Sequence, residues 1–350
     1  MSLIEALLEP FTSDGLFVEM LWQFGIFLLI AISLDLVMGY AGMFQLGHIG
    51  FFALGAVGTT FATHPERWGL DMFGGILVGF ALVSVAVVLI GVPTLRLPGD
   101  YFAIASFGFT LSVQAVLIGY WATGIFGVPG PNPLGCDPAC LADTAVGGTL
   151  GQGVAALLFL DDVARPAQAG VELLLLFAFV ASAYILLGRL KRAPFGRLLK
   201  SVREDPRAAM SLGKDVQMLR FKALWISALV QSLAGSLWAH HVRNLGPHFY
   251  GFEFLMLTVI TVILGGLGSH AGALVGAAVF VLVNEESKSI GAWASETWPA
   301  VAADYSIASL RLVLFGALLV VLMVLRPGGL LGERDVSLRS IRAWWRGRRA

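Results

Sequence analysis

Phe254 to Asn284 is a run of 31 residues without a single Asp, Glu, Lys or Arg. As one straight α-helix it would be about 46 Å long, at about 1.5 Å per residue. The hydrocarbon core of a bilayer is about 30 Å thick and is crossed by about 20 apolar residues. The run is therefore too apolar for a soluble surface and too long for one crossing. It has to break, and Gly265-Gly266-Leu267-Gly268-Ser269-His270-Ala271-Gly272 lies at its middle. A backbone break at membrane depth survives only inside protein or beside a watery cavity, where the freed N–H and C=O groups find partners.

The rest of the chain has the same character. Charged residues make up 13% of the 350 and mean hydropathy is +0.81; a soluble domain carries about 25% charged residues. A soluble enzyme, a disordered chain and a nucleic-acid binder are all disfavoured. The expected architecture is all-α, a polytopic transmembrane helical bundle. Candidate spans fall at residues 16–38, 49–64, 71–92, 101–122, 170–188, 219–240, 252–266, 272–284 and 308–325. That makes about nine crossings, or eight to ten, since 144–160 is also fairly apolar. The acidic N-terminus lacks the basic region of a cleavable signal peptide, so the first span reads as a permanent helix.

The formal net charge is zero, but its parts are segregated. Residues 189–222 hold ten Lys/Arg against three acids, and residues 326–349 hold seven Arg against two acids. These segments carry +7 and +5, and everything else sums to −12. Short loops rich in Lys and Arg stay on the cytoplasmic side. Nine crossings then place the N-terminus outside and the C-terminus in the cytoplasm.

A second glycine-rich stretch precedes the long run. Residues 36–65 contain no charged side chain, yet carry Gly39, Gly42, Gly47, Gly50, Gly55 and Gly58. Such breaks mark substrate paths in transporters, and glycines also let helices approach closely, as the spacing of Gly268, Gly272 and Gly276 suits. Packing is the expectation for 268–276, and for 39–50 both roles stay open. Asp35, one turn before Gly39, is either a functional intramembrane carboxylate or an interfacial one hydrated at the cytoplasmic edge. Gln45 and His48 lie within the first break, lining a path or packing it. Ser106, Thr110 and Gln114 share one helix face and are expected mainly to tie helices together.

Other polar groups are placed on outer loops. His240, His241 and His248 with Glu253 match no standard zinc spacing, so no metal or cofactor is assigned. Glu285, Glu286, Glu296 and Asp304 are expected to form a solvated acidic loop. Cys136 and Cys140 are either a disulfide or two free thiols.

Within the basic segment, Leu198, Leu199, Val202, Ala209 and Leu212 recur near helical spacing among the charges. Pro206 suits a first helical turn, and Gly213 suits a stop. A short amphipathic helix is expected on the cytoplasmic face, as a surface linker or a docking helix for a partner.

Here Glu204-Asp205-Pro206-Arg207-Ala208-Ala209-Met210-Ser211-Leu212-Gly213 resembles the coupling segment of the branched-chain amino acid (LIV-type) ABC permease family. Gly39-Tyr40-Ala41-Gly42 followed by Leu46-Gly47-His48 resembles the family's signature after its first long helix. Leu264-Gly265-Gly266-Leu267-Gly268-Ser269, with Gly272 and Gly276-Ala277, resembles its later break. Arg326-Pro327-Gly328-Gly329-Leu330-Leu331-Gly332 resembles its closing motif and the longer, M-type partner. The likeness runs from residue 30 to 332 with the motifs in the family's order.

The resemblance implies a permease domain over residues 1–332 with a basic tail over 333–350, in a bacterial cytoplasmic membrane. It implies a translocation path near Asp35, Gly39, Tyr40, Gly42, Gln45, Gly47 and His48. ATPase coupling would fall to Arg203, Glu204, Asp205, Arg207, Ala208, Ala209 and Gly213, and helix breaking and packing to Gly265, Gly266, Gly268, Gly272 and Gly276. The implied partners are a second permease subunit, two cytosolic ATPase subunits and an extracytoplasmic solute-binding protein, within membrane lipid. The chain itself has no Gly-x-x-x-x-Gly-Lys-Ser/Thr loop to hold phosphates, so it is expected to be a transport subunit and no enzyme. Met43-Phe44-Gln45 stands where the family commonly has Gln-Leu-Ser, Pro98-Gly99-Asp100 departs from Arg-Gly-Leu, and Ile125 replaces a Gly after Thr123-Gly124. The solute is thus a branched-chain amino acid or another small solute such as urea or a short amide. An energy-independent channel or ion-coupled carrier is the competing class.

Overall fold

The computed structural model describes residues 14–63, 68–97, 99–123, 165–242, 250–297, 316–317, 320–321, 324 and 328–331. Among them the regular elements are all helical, with no strand. Helix α1 spans Asp14–Leu34 and widens into a π-helical turn over Asp35–Tyr40. Then come α2, His48–Thr63, and α3, Met72–Ala86, which runs on through a second π-turn over Val87–Gly91. Helix α4 spans Gly99–Thr123 and α5 Arg165–Arg192. The short α6, Pro194–Glu204, and α7, Pro206–Ser211, lead into α8, Val216–Val242. Helices α9, Phe252–Gly265, and α10, His270–Thr297, complete the set.

From Phe24 to Leu34 helix α1 is almost wholly apolar, as suits a helix buried in protein or crossing a membrane. Ile26, Leu29, Ile30, Ile32, Leu34 and Leu36 are all buried in the core, with α5, α8, α9 and α10 packed around it. Small residues set the other close contacts. A Cβ on Gly235 of α8 would strike the Phe52 carbonyl of α2, and one on Gly55 of α2 would strike the Ser232 backbone of α8. Between these helices the Thr59 and Ser236 hydroxyls are 2.6 Å apart. Without water to drive apolar helices together, such close backbone approach and hydroxyl bonding carry the association.

The outer faces are apolar as well. Leu77, Leu89, Ile104, Val116, Leu174 and Leu186 are exposed on α3, α4 and α5. In water this belt would be an aggregation surface; against lipid tails it is the natural exterior. Four described helical stretches are long and apolar enough to cross a bilayer: Gly15–Tyr40, Met72–Thr94, Gly99–Ile118 and Glu172–Arg192. His48–Thr63 and Phe252–Gly265 are apolar but shorter. The chain is a multi-pass membrane protein.

Both breaks inferred from glycine occur. The first separates the π-turn from α2 over residues 41–47, and the second separates α9 from α10 over residues 266–269. Gly42, Gly266 and Gly268 have φ of 68°, 106° and 83°, the left-handed region in which a side chain is strained.

Three sequence expectations are corrected. The amphipathic segment is two helices, because Asp205 adopts an extended conformation (φ −147°, ψ 99°) between α6 and α7. Its Oδ1 accepts from the N–H groups of Arg207 and Ala208 at 2.8 and 3.1 Å, capping α7. Glu285 and Glu286 lie on α10 and not on a loop; Glu285 is buried and accepts from Lys288 at 2.7 Å. His240 and His241 form the last turn of α8, where His241 stacks on Trp22 and bonds Glu19 at 2.9 Å. Among the described residues no group of His, Cys, Asp or Glu is arranged to hold a metal. His248, Asp304, Cys136 and Cys140 lie outside the described residues.

Candidate functional site

The two breaks meet at Asp35. Its side chain is fully buried, at the start of the π-turn that ends α1. Oδ2 accepts from Lys191 Nζ at 2.7 Å, and Oδ1 accepts from the backbone N–H of Gly268 at 2.6 Å. Lys191 is on the last turn of α5 and is itself 5% exposed. The carboxylate therefore joins α1, α5 and the second break at one point. A buried ion pair is tolerable when its geometry is good and the remaining polar atoms are bonded. Of the two readings left open for Asp35, burial excludes the hydrated, interfacial one, and Lys191, counted among the basic residues of 189–222, is buried with it.

Gly39 explains how the breaks come so close. A Cβ there would lie 2.5 Å from the Gly268 nitrogen and would also strike the Asp35 carboxylate. Only glycine fits. The same turn is gripped from below, where Arg203 at the end of α6 donates from Nη1 to the Gly39 carbonyl at 2.5 Å. The stem of Arg203 lies against Gly42, where an added Cβ would come within 2.8 Å of it. Tyr40, between these glycines, is buried, with Lys191 Nζ 5.1 Å and Lys200 Nζ 5.0 Å from its ring centroid.

The strand of irregular chain beyond Gly42 is held by α4. Ser106 Oγ accepts from the Leu46 N–H at 3.0 Å, and Thr110 Oγ1 donates to the Leu46 carbonyl at 2.9 Å. Gly47 lies against Ser106. Ser106 and Thr110 thus tie helices together, as expected, and in doing so satisfy a backbone that no helix satisfies. Gln45 and His48 are both fully buried. His48 Nε2 contacts the Thr258 hydroxyl of α9. Neither the carbonyl nor the amide nitrogen of Gln45 has a hydrogen-bond partner among the described residues, nor has His48 Nδ1.

The second break is closed by backbone. Gly265 and Gly272 approach so closely that a Cβ on either would meet the other's carbonyl, and Gly276 fits against the Thr261 carbonyl. These glycines pack, as their spacing suggests. Gly266 faces Gly329 from the far end of the chain. Leu330 and Leu331 donate their N–H groups to the carbonyls of Leu264 and Gly265 at 3.0 and 3.3 Å. Those carbonyls end a helix and would otherwise lack partners.

Glu204, Arg207 and Ala208 are exposed, whereas Ala209 packs with Val202 and Val216 and holds α6, α7 and α8 together. Gly213 ends the segment at φ 73°. Sequence reasoning missed Lys191 and His270 as members of the site. The His270 ring stacks near Tyr184 at 3.9 Å, its Nε2 donates to the Tyr184 carbonyl at 2.9 Å, and its Nδ1 faces Lys191 Nζ at 3.3 Å. The available signal was that a buried Asp35 needs a cation, and 189–222 is the nearest rich supply.

The arrangement is a junction of a buried ion pair, two glycine breaks and the α6–α7 helix pair that touches the first of them through Arg203.

Comparison with known proteins places the chain in a family of membrane permeases. The family model for the permease component of branched-chain amino acid transport systems matches residues 16–323. The high-affinity branched-chain amino acid transport system permease protein LivM of Escherichia coli K12 is 28% identical over 312 residues, covering 87% of this chain and 68% of that protein. The Salmonella typhimurium LivM is 28% identical over 337 residues, 94% of this chain and 73% of its own length. A probable LivM of Methanocaldococcus jannaschii is 23% identical over 357 residues, covering 91% of this chain and 93% of that protein. No solved structure matches the chain.

Proposed function

The chain belongs to the branched-chain amino acid (LIV-type) ABC permease family, and we propose that it is the permease through which a branched-chain amino acid or a related small solute crosses the membrane. It works with a second permease subunit, two cytosolic ATPase subunits and an extracytoplasmic solute-binding protein. Residues 1–332 form the permease domain, with about nine crossings of a bacterial inner membrane. The N-terminus is outside, and the basic tail 333–350 is in the cytoplasm with α6 and α7.

The observation that carries the proposal is the bond from Arg203 to the Gly39 carbonyl. ATPase closure pushes on α6 and α7, Arg203 passes the displacement to the first break, and the Asp35 pin passes it to the second. Exposed Met210 and Leu212 offer an apolar foothold for the ATPase, beside a cavity of about 460 Å³ lined by Leu95, Pro206, Met210 and Gln217. The path runs past Gln45 and His48, whose buried polar atoms are the groups a passing polar solute would meet.

The test is Arg203→Ala in the transporter reconstituted with both permeases, both ATPase subunits and the binding protein. ATP hydrolysis is expected to persist while uptake falls by at least about tenfold, the effect of losing one charge-assisted bond on the driven step. Uptake at the wild-type rate, or uptake independent of the ATPases, would sink the coupling role.

A further inference from the structure

At the basic end of α5, beside the Asp35 pin, is a cavity of about 240 Å³. Tyr40, Lys191, Arg192, Arg197, Lys200 and His270 are among its lining, with no carboxylate. Lys191 is committed to Asp35. Arg192, Arg197 and Lys200 have no carboxylate partner among the described residues. The positive dipole end of α10, which begins at His270, adds to the same potential. Three uncompensated cations around a pocket this small repel one another. The coupling role does not require Arg192 and Arg197 there, because Arg203 bonds the Gly39 carbonyl directly.

The surface leading to the pocket says which anion belongs in it. Ala178, Ala181, Ser182 and Ile185 are exposed on α5 at three- and four-residue spacing, and the stripe ends at exposed Arg192. It lies on a helix that is long and apolar enough to cross the bilayer. With exposed Leu174 and Leu186 beside it, this face is apolar until exposed Arg189 and Arg192, so an acyl chain can lie along it with its phosphate at the pocket. Basic pockets between membrane helices suit anionic headgroups in this way.

We propose that this pocket binds the phosphodiester headgroup of an anionic phospholipid. The phosphate lies between Arg192 and Arg197, with Lys200 over the Tyr40 ring completing the charge. The bound lipid joins α5, α6, the first break and the start of α10, so it stiffens the same junction through which α6 moves. No covalent step is involved.

The full-length chain is incorporated into nanodiscs of phosphatidylcholine with or without phosphatidylglycerol, then delipidated in neutral detergent and weighed intact by native mass spectrometry. One phosphatidylglycerol is expected to remain on the wild-type chain when phosphatidylcholine does not. Arg197→Gln/Lys200→Gln should weaken its retention about 30-fold, at about a factor of five for each cation. Lys222→Gln, which removes a charge from the same basic segment away from the pocket, should retain the lipid. Equal retention of the two lipids by the wild-type chain overturns the proposal without any variant. So does equal loss in the Lys222 variant, or displacement of the lipid by millimolar inorganic phosphate, which would make the pocket a site for a small free anion.

Discussion

The two glycine-rich breaks look alike as sequence and are held in opposite ways. The second, between α9 and α10, is a backbone structure: Gly265 against Gly272, Gly276 against the Thr261 carbonyl, Leu330 and Leu331 against the last carbonyls of α9. The first, after α1, is held by side chains from elsewhere: Asp35 with Lys191, Arg203 on Gly39, Ser106 and Thr110 on Leu46. A backbone lock has one close-packed arrangement. Side-chain grips can be released and remade, and they leave buried polar atoms, as at Gln45, without a hydrogen-bond partner among the described residues. The difference teaches that glycine density alone marks where a membrane helix breaks. The surrounding polar side chains mark which break is held by groups that can be exchanged.

The largest expected effect comes from the pin that the breaks share. Lys191→Met leaves a buried carboxylate without its cation and should cost about 3–5 kcal/mol of stability. Asp35→Asn added to it should restore most of that loss. Thermal unfolding of the purified chain in detergent measures both, and a wild-type melting curve for Lys191→Met alone would show that the pair holds nothing.

The next effect separates the breaks. Gly276→Leu overpacks the second, where a Cβ already meets the Thr261 carbonyl and approaches Gly265 within 2.8 Å. It should destabilise by about 1–3 kcal/mol, with uptake per folded transporter nearly unchanged. Gln45→Leu in the first break should do the reverse. Replacing a buried amide that lacks partners by an apolar side chain is expected to leave stability level or raise it by about 1 kcal/mol, while uptake falls. Parallel thermal melts and uptake assays decide it. If both variants lose stability and uptake in the same proportion, the distinction between a locked and a movable break fails.

Much of this was legible in the sequence, and the limit has a physical cause. The uncharged run around Gly265 and the glycine series from Gly39 gave the breaks, because a helix that long cannot fit the bilayer. Pro206 and Gly213 gave the start and stop of α7, because each acts on its own backbone. Local chemistry reads locally. The pin did not, since Asp35 and Lys191 are 156 residues apart. Charge counting put Lys191 in one cytoplasmic segment with its basic neighbours and could not tell it, buried, from the next residue on the same helix, the exposed Arg192. Glu285 was misplaced for the mirror reason: an acid after an apolar run looked like a loop, but α10 continues and buries it. Nor does any periodicity announce a π-turn, which here swings Asp35 inward at the end of an otherwise apolar helix.

The hydrogen bonds from Leu330 and Leu331 to the end of α9 also bear on how the protein is made. A ribosome delivers Leu264 and Gly265 more than sixty residues before the two leucines that will satisfy them. Until residues 330 and 331 are made, those two carbonyls cannot have the partners they have in the finished chain, so the end of α9 is completed from a segment synthesised well after it.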